Sequence, residues 1–177
     1  EIINTMKRYL LILCVFVLLS CRKEQGCTDQ IAINFNSTAE EDDGSCVYSF
    51  VGGYWITQSI TTEGSITTSA GSTIVSDSSF NFTETNPDSL SPYRIDFFNN
   101  NTFFEFDISN DTVDIGDWSV NGNQLTIDHG DTTSTLLIQS LERDNTVLIE
   151  NISETSSFMG LTISYNITRT FNSRRQF

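Results

Sequence analysis

The side chains whose types and spacing could do chemistry are few in this 177-residue chain. His129 is the only histidine. It lies in "HGD", His129 to Asp131, and the adjoining glycine predicts a solvated turn residue rather than a catalytic base. A hydrolytic triad would need a serine and a carboxylate around it, and no G-x-S-x-G stretch supplies the serine. Asp107, Asp111, Asp114 and Asp117 fall at one strand–loop–strand junction. They read as a charged loop tip, with cation binding as the alternative. Paired carboxylates cleave glycosides only when held about 5–9.5 Å apart, a distance that spacing in sequence does not supply. Asp29, Asn34, Asn36, Asp42 and Asp43 are oxygen donors between Cys27 and Cys46, the ligand type that Ca²⁺ prefers. Their spacing does not fit D-x-[DN]-x-[DN]-G, because Ala39 stands where the first Asp belongs. The expectation is a solvated acidic loop held by Asx turns, with Ca²⁺ as a candidate ligand. Otherwise no cofactor is expected, and the chain reads as a non-enzyme.

The N-terminus says where such groups would work. Lys7 and Arg8 precede "YLLILCVFVLL", Tyr9 to Leu19, which carries no charge. A spanning helix needs about 20 apolar residues, whereas a basic start and a shorter apolar run make a secretory signal. "LLSC", Leu18 to Cys21, resembles the lipobox of bacterial lipoproteins. The resemblance implies cleavage after Ser20, lipid on Cys21, and residues 1–20 as a signal peptide, residues 1–5 being an over-extended start. Leu19 is bulkier than the usual residue there. With Cys14 removed and Cys21 lipidated, Cys27 and Cys46 remain as an even pair in an exported chain, where such pairs oxidise. That bridge would remove about 3 kcal/mol of unfolded-state entropy. Residues 21–26 then form a tether, 27–46 a stapled acidic module, and 51–177 the main domain.

The net charge is −14, with 9 basic and 23 acidic residues. Such a surface repels nucleic acid and anionic membrane, so attachment to a membrane falls to the lipid. Thr, Ser, Asn and Phe are abundant, which favours strands and turns over helices.

From Gly52 onward the pattern has period two. "PYRIDFF" puts Tyr93, Ile95 and Phe97 on one face. "TFFEFDIS" puts Phe104, Phe106 and Ile108 on one face and Glu105 and Asp107 on the other. "NNN", Asn99 to Asn101, suits the turn between them. "DWSVNGNQLTID" is a hairpin about Asn121-Gly122. "TSTLLIQSLE", "TVLIENI" and "LTISYNIT" follow as strands, the last with Leu161, Ile163, Tyr165 and Ile167 inward. "GYWITQSIT" comes first, and the Ser/Thr/Gly-rich run after it holds one or two weaker strands. No window after Cys21 has convincing helical periodicity. The expectation is an all-β fold, an antiparallel up-and-down meander of eight or nine strands. Closure into a barrel would remove its edges; a β-sandwich is the alternative.

"GYW" at Gly53 to Trp55, the aromatic pair around "NNN", "GDW" at Gly116 to Trp118 and the "LTI" return resemble, in that order, the lipocalin-like domains of bacterial lipoproteins. The run Thr61 to Ser79 departs from a simple hairpin. "CTD…AINFN…A…DDGSC" resembles a cysteine-bounded motif of exported proteins from marine Gram-negative bacteria. The lipocalin resemblance implies a lipid-anchored envelope protein of the outer membrane. Its barrel would bind a small apolar ligand lined by Tyr93, Phe97, Phe104, Phe106 and Tyr165. It also implies an arginine of the last strand across the G-x-W tryptophan, here Arg169 over Trp55. The alternative is a solid barrel that meets an envelope protein.

Overall fold

The structure is a computed structural model and describes residues 22–86 and 92–177. Cys21 and the signal segment lie outside the described residues. Two compact units divide between Val47 and Tyr48.

The first unit contains β1 (Gln25–Gly26) and β2 (Glu41–Asp42), a short parallel pair. Cys27 and Cys46 are disulfide-bonded, and Cys27 is buried with Ala32. Polar side chains do most of the local shaping. Asp29 Oδ1 accepts from Ile31 N, Asn36 Oδ1 from Thr38 N, Asp42 Oδ1 from Gly44 N and Asp43 Oδ1 from Ser45 N, at 2.9–3.0 Å. Asn34 donates to Ser45 O and accepts from Val47 N. Each of these oxygens fixes a turn by taking an otherwise unpaired amide.

The second unit is one antiparallel sheet of nine strands. They are β3 (Tyr54–Ala70), β4 (Thr73–Glu84), β5 (Arg94–Phe97), β6 (Thr102–Phe106), β7 (Thr112–Asn121), β8 (Gln124–Asp128), β9 (Thr133–Leu141), β10 (Asn145–Phe158) and β11 (Leu161–Gln176). The order is β11-β10-β9-β8-β7-β6-β5-β3-β4, and β11 pairs again with β3. That last pairing closes eight strands into an up-and-down barrel, the lipocalin-like architecture, and rules out the sandwich. Among the described residues there is no helix. The turns use the expected residues: Asn101 and Gly122 both have φ near +60°, which Asn and Gly adopt most cheaply.

One end of the barrel is filled with side chains. Phe50, Trp55, Phe97, Phe103, Leu125, Ile127, Leu136 and Leu148 form the buried core. Phe50 plugs this end, its ring 5.1 Å from Phe97 and edge-on to Trp55 and Trp118. Trp55 Nε1 donates to Phe50 O at 2.8 Å, which holds the plug in place. Phe50 lies just outside the domain that the sequence marks at 51–177, because a single aromatic outside any strand has no periodicity to mark it.

Beyond the other end, the barrel continues as a four-stranded sheet. β3 pairs with β4 from Ile60 to Ala70, β11 pairs with β3 from Leu161 onward, and β10 pairs only with β11 past Glu150. The Ser/Thr-rich run therefore forms long strands rather than weak ones. Cross-strand pairs of hydroxyls, amides and carboxylates hold its polar face, among them Thr61–Thr83, Thr67–Asp77, Thr155–Ser164 and Thr168–Asn151.

Candidate functional site

The barrel interior holds a cavity of about 230 Å³. Its apolar wall is Ile95, Ile127, Leu136, Leu148 and Phe171. Glu105, His129, Glu150 and Arg169 bring ionisable groups to it, with Thr57, Ser134 and Ser173 as neutral polar groups. The core packing of Phe50, Trp55 and Phe97 closes the space below.

The registers explain which residues face inward. Ile95 pairs with Glu105, and Glu105 with Asp114, so these three share the inner face. Phe97 pairs with Phe103 and Phe103 with Gly116 on the same face. A Cβ on Gly116 would stand 2.0 Å from Asp128 O and 2.9 Å from the Phe103 ring, so only glycine lets β6, β7 and β8 close here.

Three titratable groups meet at one corner. His129, at the end of β8, puts Nδ1 2.6 Å from Asp114 Oδ2 and sets its ring edge-on to Phe103. One ligand atom from each of Glu105, Asp114 and His129 lies within 4.8 Å of the others. Burial pushes the Glu105 carboxyl above its ordinary range, the nearby imidazole offsets part of that, and the Asp114 charge adds to it. The corner therefore brings two carboxyl groups and an imidazole within hydrogen-bonding reach of a polar group in the cavity. It is the only set of three such metal-ligand types among the described residues. Across the cavity, Arg169 Nη1 stands 3.6 Å from Glu150 Oε2, and these two are cross-strand partners.

Several expected positions are corrected. Phe104 and Phe106 do not line the cavity; they stack on each other outside, Phe104 against Phe98 and Phe106 under the Arg94 guanidinium. Glu105, expected outside, is inside. Phe97 belongs to the core of the closed end rather than to the cavity, and Tyr93 is half-buried at the start of β5 outside the lining set. Tyr165 lies on the sheet extension opposite Ile66. The cation over Trp55 is Arg175, 4.4 Å from a ring centroid, not Arg169. β11 runs on to Gln176, well past the expected end of the last strand, so the arginine opposite Trp55 comes six residues later. His129, expected in solvent, faces the cavity. In the first unit, Asp29, Asn36, Asp42 and Asp43 each give one oxygen to a turn amide, and among the described residues Asp29, Asp42 and Asp43 join no group of three His, Cys, Asp or Glu ligands.

His129 had a visible signal in its position between two hydrophobic strands, but a turn histidine is usually solvated. Asp114 stood out only as one of four aspartates read as a charged loop tip, and its place on the inner face shows in sequence only as its parity in "VDIGDW". No protein family, curated protein or solved structure matches this chain.

Proposed function

We propose that the barrel is a binding module for one small ligand with an apolar body and a polar group. The body would lie against Ile95, Leu136, Leu148 and Phe171, and the polar group would meet the Glu105–Asp114–His129 corner. The observation that carries this reading is the cavity itself, an apolar space with a few convergent polar groups. A dry cavity of about 150 Å³ holds a benzene. About 230 Å³ therefore suits roughly nine or ten non-hydrogen atoms. A small amphiphile fits this description; a long acyl chain does not.

We further propose, from the sequence alone, that the chain is an envelope lipoprotein anchored through Cys21. A Cys21→Ser variant should then leave the membrane fraction or stay unprocessed. The main alternative is a solid interaction module, and the aromatic packing around Phe50 that fills the closed end favours it.

Native mass spectrometry of protein taken from its own membranes separates the two. A small adduct in the wild type, lost when Leu148→Trp fills the cavity, supports binding. Wild-type protein at its bare mass, with no small molecule in the organic extract, overturns it.

A further inference from the structure

The sheet extension carries a second surface that the cavity reading does not use. Registers place Ile66, Phe80, Ile152, Ile163, Tyr165 and Ile167 on one face, the face that continues the barrel interior. At its end, the β3–β4 and β10–β11 turns lie side by side, because Ala70 pairs with Leu161. Turn residues are ordinarily polar. Here Met159 in the β10–β11 turn is 86% exposed, and in the strand ends beside the two turns Phe158 is 76% exposed, Ile74 64% and Val75 62%.

Charge is missing from the same place. Residues 64–76 and 155–168 contain no Asp, Glu, Lys or Arg, in a chain of net charge −14. From Gly64 to Ala70 the strand carries the apex roughly 20 Å beyond the last barrel level. The nearest carboxylates, Asp77 opposite Thr67 and Glu154 opposite Tyr165, stand back from the turns by roughly 10 Å or more, just beyond the Debye length of about 8 Å in physiological salt. Pairing of β10 with β11 and of β11 with β3 runs unbroken to the turns, whereas β3–β4 shifts register between Thr68 and Ser69 and the outer edges of β4 and β10 stay open, which suits the hydrated boundary of a bilayer and not its hydrocarbon core. Polar side chains near the apex are paired across strands: Ser157 with Thr162, Thr155 with Ser164, Ser153 with Asn166.

We propose that this apex docks on a lipid bilayer, with Ile74, Val75, Phe158 and Met159 entering the boundary between headgroups and acyl chains. A protein partner would be expected to offer cations to so acidic a chain, and the apex presents nothing for cations to pair with. A second copy would bring Glu154, on the same face as Tyr165, against its own equivalent. An uncharged interfacial membrane surface carries neither penalty. The proposal does not depend on the barrel holding a ligand.

The test uses the full chain with phosphatidylcholine vesicles that carry a diazirine in the acyl chain, followed by photolysis and peptide mapping. Adducts on Ile74, Val75, Phe158 or Met159 are expected. Met159→Asp should cut the adduct yield at the apex about tenfold or more, and Val75→Asp in the other hairpin should do the same. Both sites are exposed, and aspartate tolerates the φ of +52° at Met159. Adducts confined to residues 9–19 or to the barrel overturn the proposal. So does a dimer in sedimentation that Met159→Asp dissolves, because the apex would then meet a second copy.

Discussion

Arg175 and Trp55 are direct cross-strand partners at the seam where the last strand meets the first, with the guanidinium carbon 4.4 Å from the indole. Both are almost fully buried, and Arg175 Nη2 also donates to Ser49 O in the plug segment. One side chain thus links the seam to the plug. Arg175→Ala should cost about 2–4 kcal/mol, from the lost packing, the lost cation–π contact and the void under Trp55. Arg175→Lys should recover less than half of that, because an ammonium cannot lie flat on the ring while reaching Ser49. Urea unfolding followed by tryptophan fluorescence checks both, and an Arg175→Lys variant as stable as the wild type would refute the stacking role.

Gly116 should tolerate no side chain. Gly116→Ala puts a methyl against Asp128 O and the Phe103 ring, and neither strand can withdraw without opening the barrel. The expected loss is about 3 kcal/mol. Gly122→Ala is the comparison: a Cβ there meets nothing within 4 Å, so its cost is only that of a positive φ in a turn. Thermal unfolding of the two variants should rank them in that order.

Glu105 predicts a pH dependence with a definite sign. Its folded-state pKa is raised above the ordinary 4.5 by burial, so the native state holds the proton more tightly than the unfolded chain does. Its contribution to stability is therefore complete below pH 4.5 and is lost as pH rises through the raised value. Glu105→Gln should flatten that part of the stability-against-pH curve and should not destabilise at neutral pH. A variant curve parallel to the wild type from pH 4 upward would disprove it.

The Cys27–Cys46 bridge spans a separation of 19 residues and should contribute about 3 kcal/mol to the first unit. Reduction should raise amide exchange at Ile31, Thr38 and Ser45, whose N–H groups bond to the Asx side chains. Slow exchange that persists in reductant would mean that the Asx turns hold the unit without the bridge.

Alternation made the barrel strands legible, and Asn-rich or Asn-Gly turns marked where they reverse. The interior was legible only in part. "TFFEF" offers two alternating sets, and hydrophobicity alone selects Phe104 and Phe106. The deciding fact is the register, Phe97 opposite Phe103, which is set by the length of the turn between them. A shift of one residue exchanges every inside and outside position along a strand. The same reason hides Trp55 and Ile60 from one pattern. Both face inward although their parities differ, and the irregularity between Ser59 and Thr57 reconciles them. Asp114 and His129 were invisible as a pair because their contact depends on the register of the β7–β8 hairpin, Asp117 opposite Asp128, and on both side chains turning to the inner face. The sheet extension was underestimated because its strands are stabilised by hydroxyl and amide pairs, which leave no hydrophobic period to read.

The seam between β3 and β11 also has a kinetic consequence. Tyr54 pairs with Gln176, so the edge of the first barrel strand stays uncovered until β11 has been made and paired. Contacts of such long range are slow to form, because the closure entropy of the whole loop must be overcome before any of them is gained. Until then β3 offers an open edge along its full length, and pairing with another nascent molecule competes with pairing to β11. A chain that stops before Leu161 should therefore aggregate rather than fold into a smaller barrel, and dilution should raise the refolding yield of the intact protein.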